Sequence, residues 1–289
     1  MEFPELFVIP LDKWIDALVD WLTVEGDFLF DAIGGFLLKP MLGVEKFLLW
    51  LPWFVFVIVV ALVAWRLSSW KLAVGVVIGL VFIGSLGLWE DAMKTLSIVF
   101  AATGLAILTG VPIGILIAQS KHLRSVVRPL LDLMQTMPSF VYLIPALMFF
   151  GLGKVPALIA VYIYAVPPAI RLTDLGIRQV DANIIEASRA FGATKWQILT
   201  NVQLPLAMPT LMTGINQTIM MALSMVVVAS MIGAGGLGTA VLNGIARLEV
   251  GRGFNGGISI VILAIIIDRL TQNLVHKQNG NGQSEEDVQ

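Results

Sequence analysis

Cysteine is absent from all 289 residues, which rules out a disulfide framework, a thiolate metal site and a cysteine nucleophile. Histidine is nearly absent too. His122 and His276 both lie in charged flanks, an arrangement that argues against a histidine-built zinc or haem centre, and no metal site is expected. Charge is scarce: Asp, Glu, Lys and Arg make up 13% of the chain, against roughly a quarter in soluble domains. The net charge is −2 and the cations are not grouped along the sequence, so nucleic acid is not an expected partner. No Gly-x4-Gly-Lys-Ser/Thr motif occurs, so the chain by itself cannot cradle ATP phosphates. Nor do the first residues, "MEFPELFVIPLDKWID", contain an apolar run of signal-peptide length, and no cleaved leader is expected.

Apolar residues fill the space that charge leaves. They make up 57% of the chain, and the mean hydropathy of +0.88 describes an all-α integral membrane protein. A bilayer-crossing helix needs about 20 mostly apolar residues. Uncharged runs meet that need, or approach it, at Phe47–Trp65, Leu72–Trp89, Thr95–Ser120, Met134–Gly153, Val155–Ile170 and Leu206–Ile232. A last run enters near Phe254 and carries Asp268 and Arg269 before about Leu274, giving about seven spans. Placing the C-terminus in the cytoplasm puts 11 of the 18 bases inside: Arg66, Lys71, Lys121, Arg124, Arg128, Arg171, Arg178, Arg189, Lys195, Arg269 and Lys277. Positive charge favours the cytoplasmic side, so the expected topology is N-terminus out and C-terminus in, in the cell's inner or plasma membrane.

Three divisions follow. Residues 1–46 form an extracytoplasmic region in which Leu11, Trp14, Ile15, Leu18, Val19 and Leu22 recur at helical spacing, an amphipathic helix along the interface or the bundle. Residues 47–275 form the transmembrane domain. Residues 276–289, "HKQNGNGQSEEDVQ", have no apolar period and are expected to be disordered.

One stretch breaks the pattern. "EASRAFGATKWQILTNVQLPLAMP", from Glu186 to Pro209, carries charges between apolar runs and falls in a cytoplasmic connection expected from near Arg171 to near Leu206. Asp181 or Asn183 can cap a helix through Ala190, and Gly192 suits a left-handed stop. Thr194 can cap a second short helix with Trp196, Ile198 and Leu199 as apolar positions, ending before Pro205. A helix–glycine–helix elbow with an apolar strip in water suits docking into another protein; a solvated linker would have no need of that strip.

The pattern Glu186-Ala187-Ser188, three residues, Gly192, nine residues, Val202, one residue, Leu204-Pro205 resembles the signature Glu-Ala-Ala-x3-Gly-x9-Ile-x-Leu-Pro of ABC importer permeases. Ser188 and Val202 depart from it and keep size and helical compatibility. The stretches from Pro138 and from Gln203 resemble the permeases of glycine betaine/proline betaine importers, over roughly residues 91–275. The resemblance implies a type I importer permease, a MetI-like helical bundle with residues 181–205 as the segment coupling to an ABC ATP-binding subunit. It implies a non-catalytic transport subunit that binds no cofactor, ATP being held by the partner. It further implies an extracytoplasmic solute-binding protein and a second permease chain, a homodimer being the simpler assembly. The implied substrate is a compatible solute such as glycine betaine, proline betaine, choline or carnitine. A methionine or other amino-acid permease is the alternative, because "GAGGLG" is shared with methionine-type permeases. An ion-coupled secondary transporter is disfavoured, since no acid lies inside the clearest spans.

Gly233, Gly235, Gly236 and Gly238 also satisfy the dinucleotide pattern G-x-G-x-x-G, but that fingerprint needs a preceding strand. Here they fit a tight bend at the outer mouth, opening a long return loop through Gly253. Asn216, Met220 and Ser224 recur every four residues, with Gln217 beside them, and form a polar stripe in the sixth span. The stripe lines a translocation path or makes interhelical hydrogen bonds. Tyr142, Tyr162 and Tyr164 could offer ring faces to a quaternary ammonium or serve as packing aromatics. Gly75/Gly79 and Gly110/Gly114 permit close helix contacts, expected within the chain rather than between two chains.

Overall fold

The computed structural model describes residues 10–283, and within them every regular element is a helix. Twelve α-helices follow in order: α1 Leu11–Trp50, α2 Trp53–Leu67, α3 Trp70–Ser85, α4 Trp89–Gln119, α5 Lys121–Thr136, α6 Leu143–Phe150, α7 Lys154–Arg178, α8 Ala182–Ala190, α9 Lys195–Ile198, α10 Leu204–Ala229, α11 Leu237–Ala246 and α12 Val250–Gln283. Four segments are long and apolar enough to cross a membrane: Trp89–Gln119, Lys154–Arg178, Lys195–Ile232 and Val250–Asn273.

Two expected spans are broken. The run Phe47–Trp65 divides between α1 and α2, which meet at 102°, and Met134–Gly153 divides between α5 and the segment Ser139–Phe150, which meet at 111°. The cause is the same in both. Pro52 and Pro138 crowd the residue before them out of the helical region, and Leu51 and Met137 are extended, with ψ of 124° and 134°. Counting each bent pair as one span gives up to six, and α3, with 16 residues, is a shorter apolar helix.

Other boundaries move as well. The N-terminal region does not end at residue 46: α1 runs unbroken for 40 residues to Trp50, with Met41, Glu45 and Leu48 buried in the bundle. Its first turns, including Leu11, Trp14, Ile15 and Leu18, are exposed, while residues 1–9 lie outside the described ones. Helix α7 continues to Arg178, so the following connection begins at Gln179 and not near Arg171, and Asp174 belongs to a helix. The expected return loop 233–253 is mostly helical, as α11 folds back along α12. Helix α12 extends to Gln283 through residues expected to be disordered, since no proline stops it and extending a formed helix is easier than starting one. Residues 284–289 lie outside the described ones.

Helix α7 is the most buried of the spans and packs between α4 and α10. Small residues make this possible. Ala102 of α4, Ala157, Ala160 and Ala165 of α7, and Ala222 and Ala229 of α10 are buried together with Ile98, Val161 and Val226. At Gly114 of α4 a Cβ would lie 2.6 Å from Thr173 Cβ and 2.7 Å from the Ile170 carbonyl of α7, so only glycine admits this crossing. Gly110 meets Ala169 of the same helix, and this seam is intramolecular. Lipid is as apolar as these side chains, so close packing rather than the hydrophobic effect holds such helices together. A second cluster joins α2, α3 and α12 through Val57, Val76, Leu80, Leu263 and Ile266.

Candidate functional site

The elbow is built from local hydrogen bonds. Asp181 caps α8, its Oδ1 accepting from the Asn183 N–H at 2.8 Å. At the other end the Gly192 N–H donates to the Arg189 carbonyl at 2.9 Å and the Ala193 N–H to the Ser188 carbonyl at 3.0 Å. This double closure requires a left-handed residue between, and Gly192 has φ of +85°. Thr194 then forms a capping box with Gln197: the Gln197 N–H donates to Thr194 Oγ1 at 3.3 Å, and the Thr194 N–H to Gln197 Oε1 at 2.8 Å.

Pro205 does not end the second helix. One wide turn, Leu199–Gln203, follows α9, with the Leu204 N–H reaching back five residues to the Leu199 carbonyl. The proline ring enters at the first turn of α10, where its missing N–H costs least and the widened turn accommodates it. The segment from Lys195 to Ile232 is therefore continuous.

Burial redistributes the expected apolar strip. Ile198 and Leu199 are buried, Leu199 against Ile177 of α7 and Ala207 and Leu211 of α10. The elbow presents instead Phe191, 93% exposed, Trp196, 70%, and Ile184, 43%. Phe191 and Ile184 were missed because the first helix of the elbow was read only for its cap and its glycine stop; Phe191, one residue before that stop, was the available signal. Glu186 and Ala187 are exposed beside them, while Ser188 donates to the Ile184 carbonyl within α8 at 2.7 Å. Leu204 is half-buried and Pro205 exposed. The signature residues thus shape the elbow and its root, and the exposed aromatics form its tip.

The polar stripe divides. Asn216 Nδ2 donates to Asp268 Oδ1 at 2.9 Å, and Gln272 Nε2 donates to the same carboxylate at 2.8 Å. Asp268, which the sequence already places towards the end of the last span, thus ties α10 to α12. Gln217 and Ser224 are exposed on the surface of the chain, Ser224 donating to the Met220 carbonyl, and Met220 is half-buried against the core. The tyrosines pack. Tyr142 donates its hydroxyl to the Met134 carbonyl and meets Tyr164 edge to face at 5.7 Å, and Tyr162 shares a 3.0 Å hydrogen bond with Thr109.

The glycine bend closes against two other segments. The Gly153 N–H donates to the Ile232 carbonyl at 2.8 Å, and the Leu237 N–H donates to Thr95 Oγ1 of α4 at 2.9 Å. Gly233, Gly235 and Gly236 all have positive φ, and a Cβ on Gly236 would lie 3.0 Å from the Asp91 carbonyl. Gly238 packs directly on Ser230. The bend is a rigid corner.

Two ionic junctions were not anticipated. Lys154 Nζ lies 2.6 Å from both oxygens of buried Glu45 and so joins α1 to α7. Asp174 of α7, its side chain 6% exposed, meets Arg178 at 2.9 Å, Arg124 at 3.3 Å and Arg128 at 3.4 Å. Arg171 pairs with Asp132 nearby. The spacing of Asp174 and Arg178 on one helix was readable from sequence; the two arginines of α5 come from 46 and 50 residues away.

Residues 110–279 match the profile of a family described as the binding-protein-dependent transport system inner membrane component. The chain is 49% identical over 275 residues to the glycine betaine/proline betaine transport system permease protein ProW of Escherichia coli (strain K12), covering 95% of this chain and 78% of that one. It is 47% identical over 274 residues to the glycine betaine transport system permease protein OpuAB of Bacillus subtilis (strain 168), covering 95% and 97%. In structure it resembles a chain of the MetNI methionine ABC transporter in an inward-facing conformation, with a TM-score of 0.61 and 22% identity over 66% of this chain and 95% of that one.

Proposed function

The chain belongs to the family of binding-protein-dependent transport system inner membrane components, and on that footing we propose that it is the permease subunit of an ATP-driven importer of glycine betaine or a close relative such as proline betaine. It is a multi-pass membrane protein and a transport subunit, with hydrolysis on a separate ATP-binding subunit. Two copies of the chain and an extracytoplasmic solute-binding protein complete the assembly. The N-terminus lies outside and the C-terminus in the cytoplasm, so the elbow faces the ATP-binding subunit. Sequence identity of 49% to a betaine permease across nearly the whole chain is the observation that carries the substrate class.

The elbow explains how the subunit responds. Phe191 and Trp196 seat in the ATP-binding partner, while Leu199 anchors the same elbow to α7 and α10. Movement of the partner then tilts α7 and α10 together, and α12 follows through Asn216 and Asp268. The access change is a shift between inward- and outward-open states biased by ATP. The exposed residues Gln217 and Ser224, with Met220 between, face the second copy or the path enclosed by two copies.

The experiment is uptake by proteoliposomes containing this chain, its ATP-binding subunit and its binding protein. ATP-dependent accumulation of labelled glycine betaine, competed by proline betaine and not by methionine, is expected. Accumulation of methionine would reassign the substrate class, and uptake without ATP would overturn the reading.

A further inference from the structure

The four arginines around Asp174 and Asp132 outnumber their carboxylates by two. Three of them, Arg128, Arg171 and Arg178, line a cavity of ≈ 330 Å³ between α5, α7 and the end of α4 together with Asp132 and Asp174, and Ile117, Leu131, Ile170 and Leu175 complete its lining. Each guanidinium group has an acceptor within the chain, but two of their donors do not. The Nε of Arg171 is buried with no hydrogen-bond acceptor, and that of Arg124, although 3.3 Å from Asp174, lacks hydrogen-bond alignment. Buried cationic donors without acceptors are costly, and an anion with several oxygens is the complement that planar guanidinium groups fit best.

The position narrows the anion. The cavity lies where the span Trp89–Gln119 ends and the span Lys154–Arg178 carries its last turns, at the depth of lipid headgroups on whichever side these ends face. One of its walls is aliphatic, and α5 beside it exposes Val126, Leu130 and Leu133. A free phosphate would use the arginines and leave that wall idle; a lipid uses both. We propose that this cavity is a binding site for an anionic phospholipid, its phosphodiester held by Arg128 and Arg171 and its acyl chains lying along α5. A basic pocket between membrane helices at the headgroup level has the required chemistry. Occupancy would clamp α5 to α7, the two helices that Asp174 already joins.

The test is native mass spectrometry of the full-length permease released from nanodiscs containing phosphatidylcholine and phosphatidylglycerol. Wild-type protein is expected to retain phosphatidylglycerol selectively, and Arg171→Gln to lose about tenfold or more of that occupancy, the loss of one charge-assisted contact. Arg252→Gln, in the exposed pair with Glu249, is the control and should retain lipid as wild type does. Because Arg171→Gln could impair folding, wild-type protein in discs of phosphatidylcholine alone is titrated in parallel with short-chain phosphatidylglycerol or with inorganic phosphate. Saturable binding of the lipid that phosphate does not displace supports the proposal. Equal retention by Arg171→Gln overturns it, and displacement by inorganic phosphate would assign the cavity to a free anion instead.

Discussion

The side-chain amide of Asn216 donates to Asp268 across 2.9 Å and joins α10, the helix continuous with the elbow, to α12. Hydrogen bonds to charged groups contribute about 1.5–3 kcal/mol. Asn216→Leu should therefore lower the stability of the detergent-solubilised chain by about 1–3 kcal/mol. In a double-mutant cycle, Asp268→Leu should cost much less in the Asn216→Leu background than in wild type. Additive effects in thermal unfolding would show that the two helices are held by something else.

Gly192 sits at φ of +85° with open space around it, so only backbone strain opposes a side chain there. Gly192→Val is expected to insert and fold yet lose ATPase stimulation and uptake, because the angle between α8 and α9 changes. Phe191→Ala, which leaves the backbone alone, should weaken binding of the ATP-binding subunit by about 1–3 kcal/mol, as truncation of an anchor does. Normal uptake by both variants would remove the elbow from the coupling role.

Asp174 neutralises arginines from α5 and α7 while nearly buried. Asp174→Ala leaves three guanidinium groups facing one another, and removal of one partner from a buried pair costs about 3–5 kcal/mol. The amount of folded protein in membranes should fall sharply and recover in part when Arg178→Gln is added. A variant as abundant as wild type would contradict this.

Ser224 is exposed on α10. If that face borders the path, Ser224→Trp should lower uptake per assembled complex without changing how much complex forms. Unchanged uptake per complex would take this face out of the path.

The absence of cysteine makes orientation measurable. A cysteine at Arg247 should react with a membrane-impermeant thiol reagent from outside, and one at exposed Asn183 only after permeabilisation. The reverse pattern would invert the topology and place the elbow outside.

The elbow was legible because its determinants are local. Asp181, Gly192, Thr194 and Gln197 act through caps and one backbone angle, all within three or four residues of the bonds they make. The breaks at Pro52 and Pro138 were equally local and were missed by reading only for uncharged length. What could not be read was the facing of the helices. In a membrane helix the lipid side and the protein side are both apolar, so hydropathy does not separate Ile198, which is buried, from Trp196, which is exposed.

Sequence alone determined that this chain is a bundle of membrane helices with one charged elbow between apolar spans, because length, hydropathy and capping are properties of neighbours along the chain. Tertiary structure decided which polar groups meet. Asp268 finds Asn216 from 52 residues away, Lys154 finds Glu45 from 109 away, and Asp174 collects arginines from α5. Each meeting depends on how α1, α5, α7, α10 and α12 cross, and those crossings are set by small residues such as Gly114 that let backbones approach, a geometry that exists only once the helices have packed.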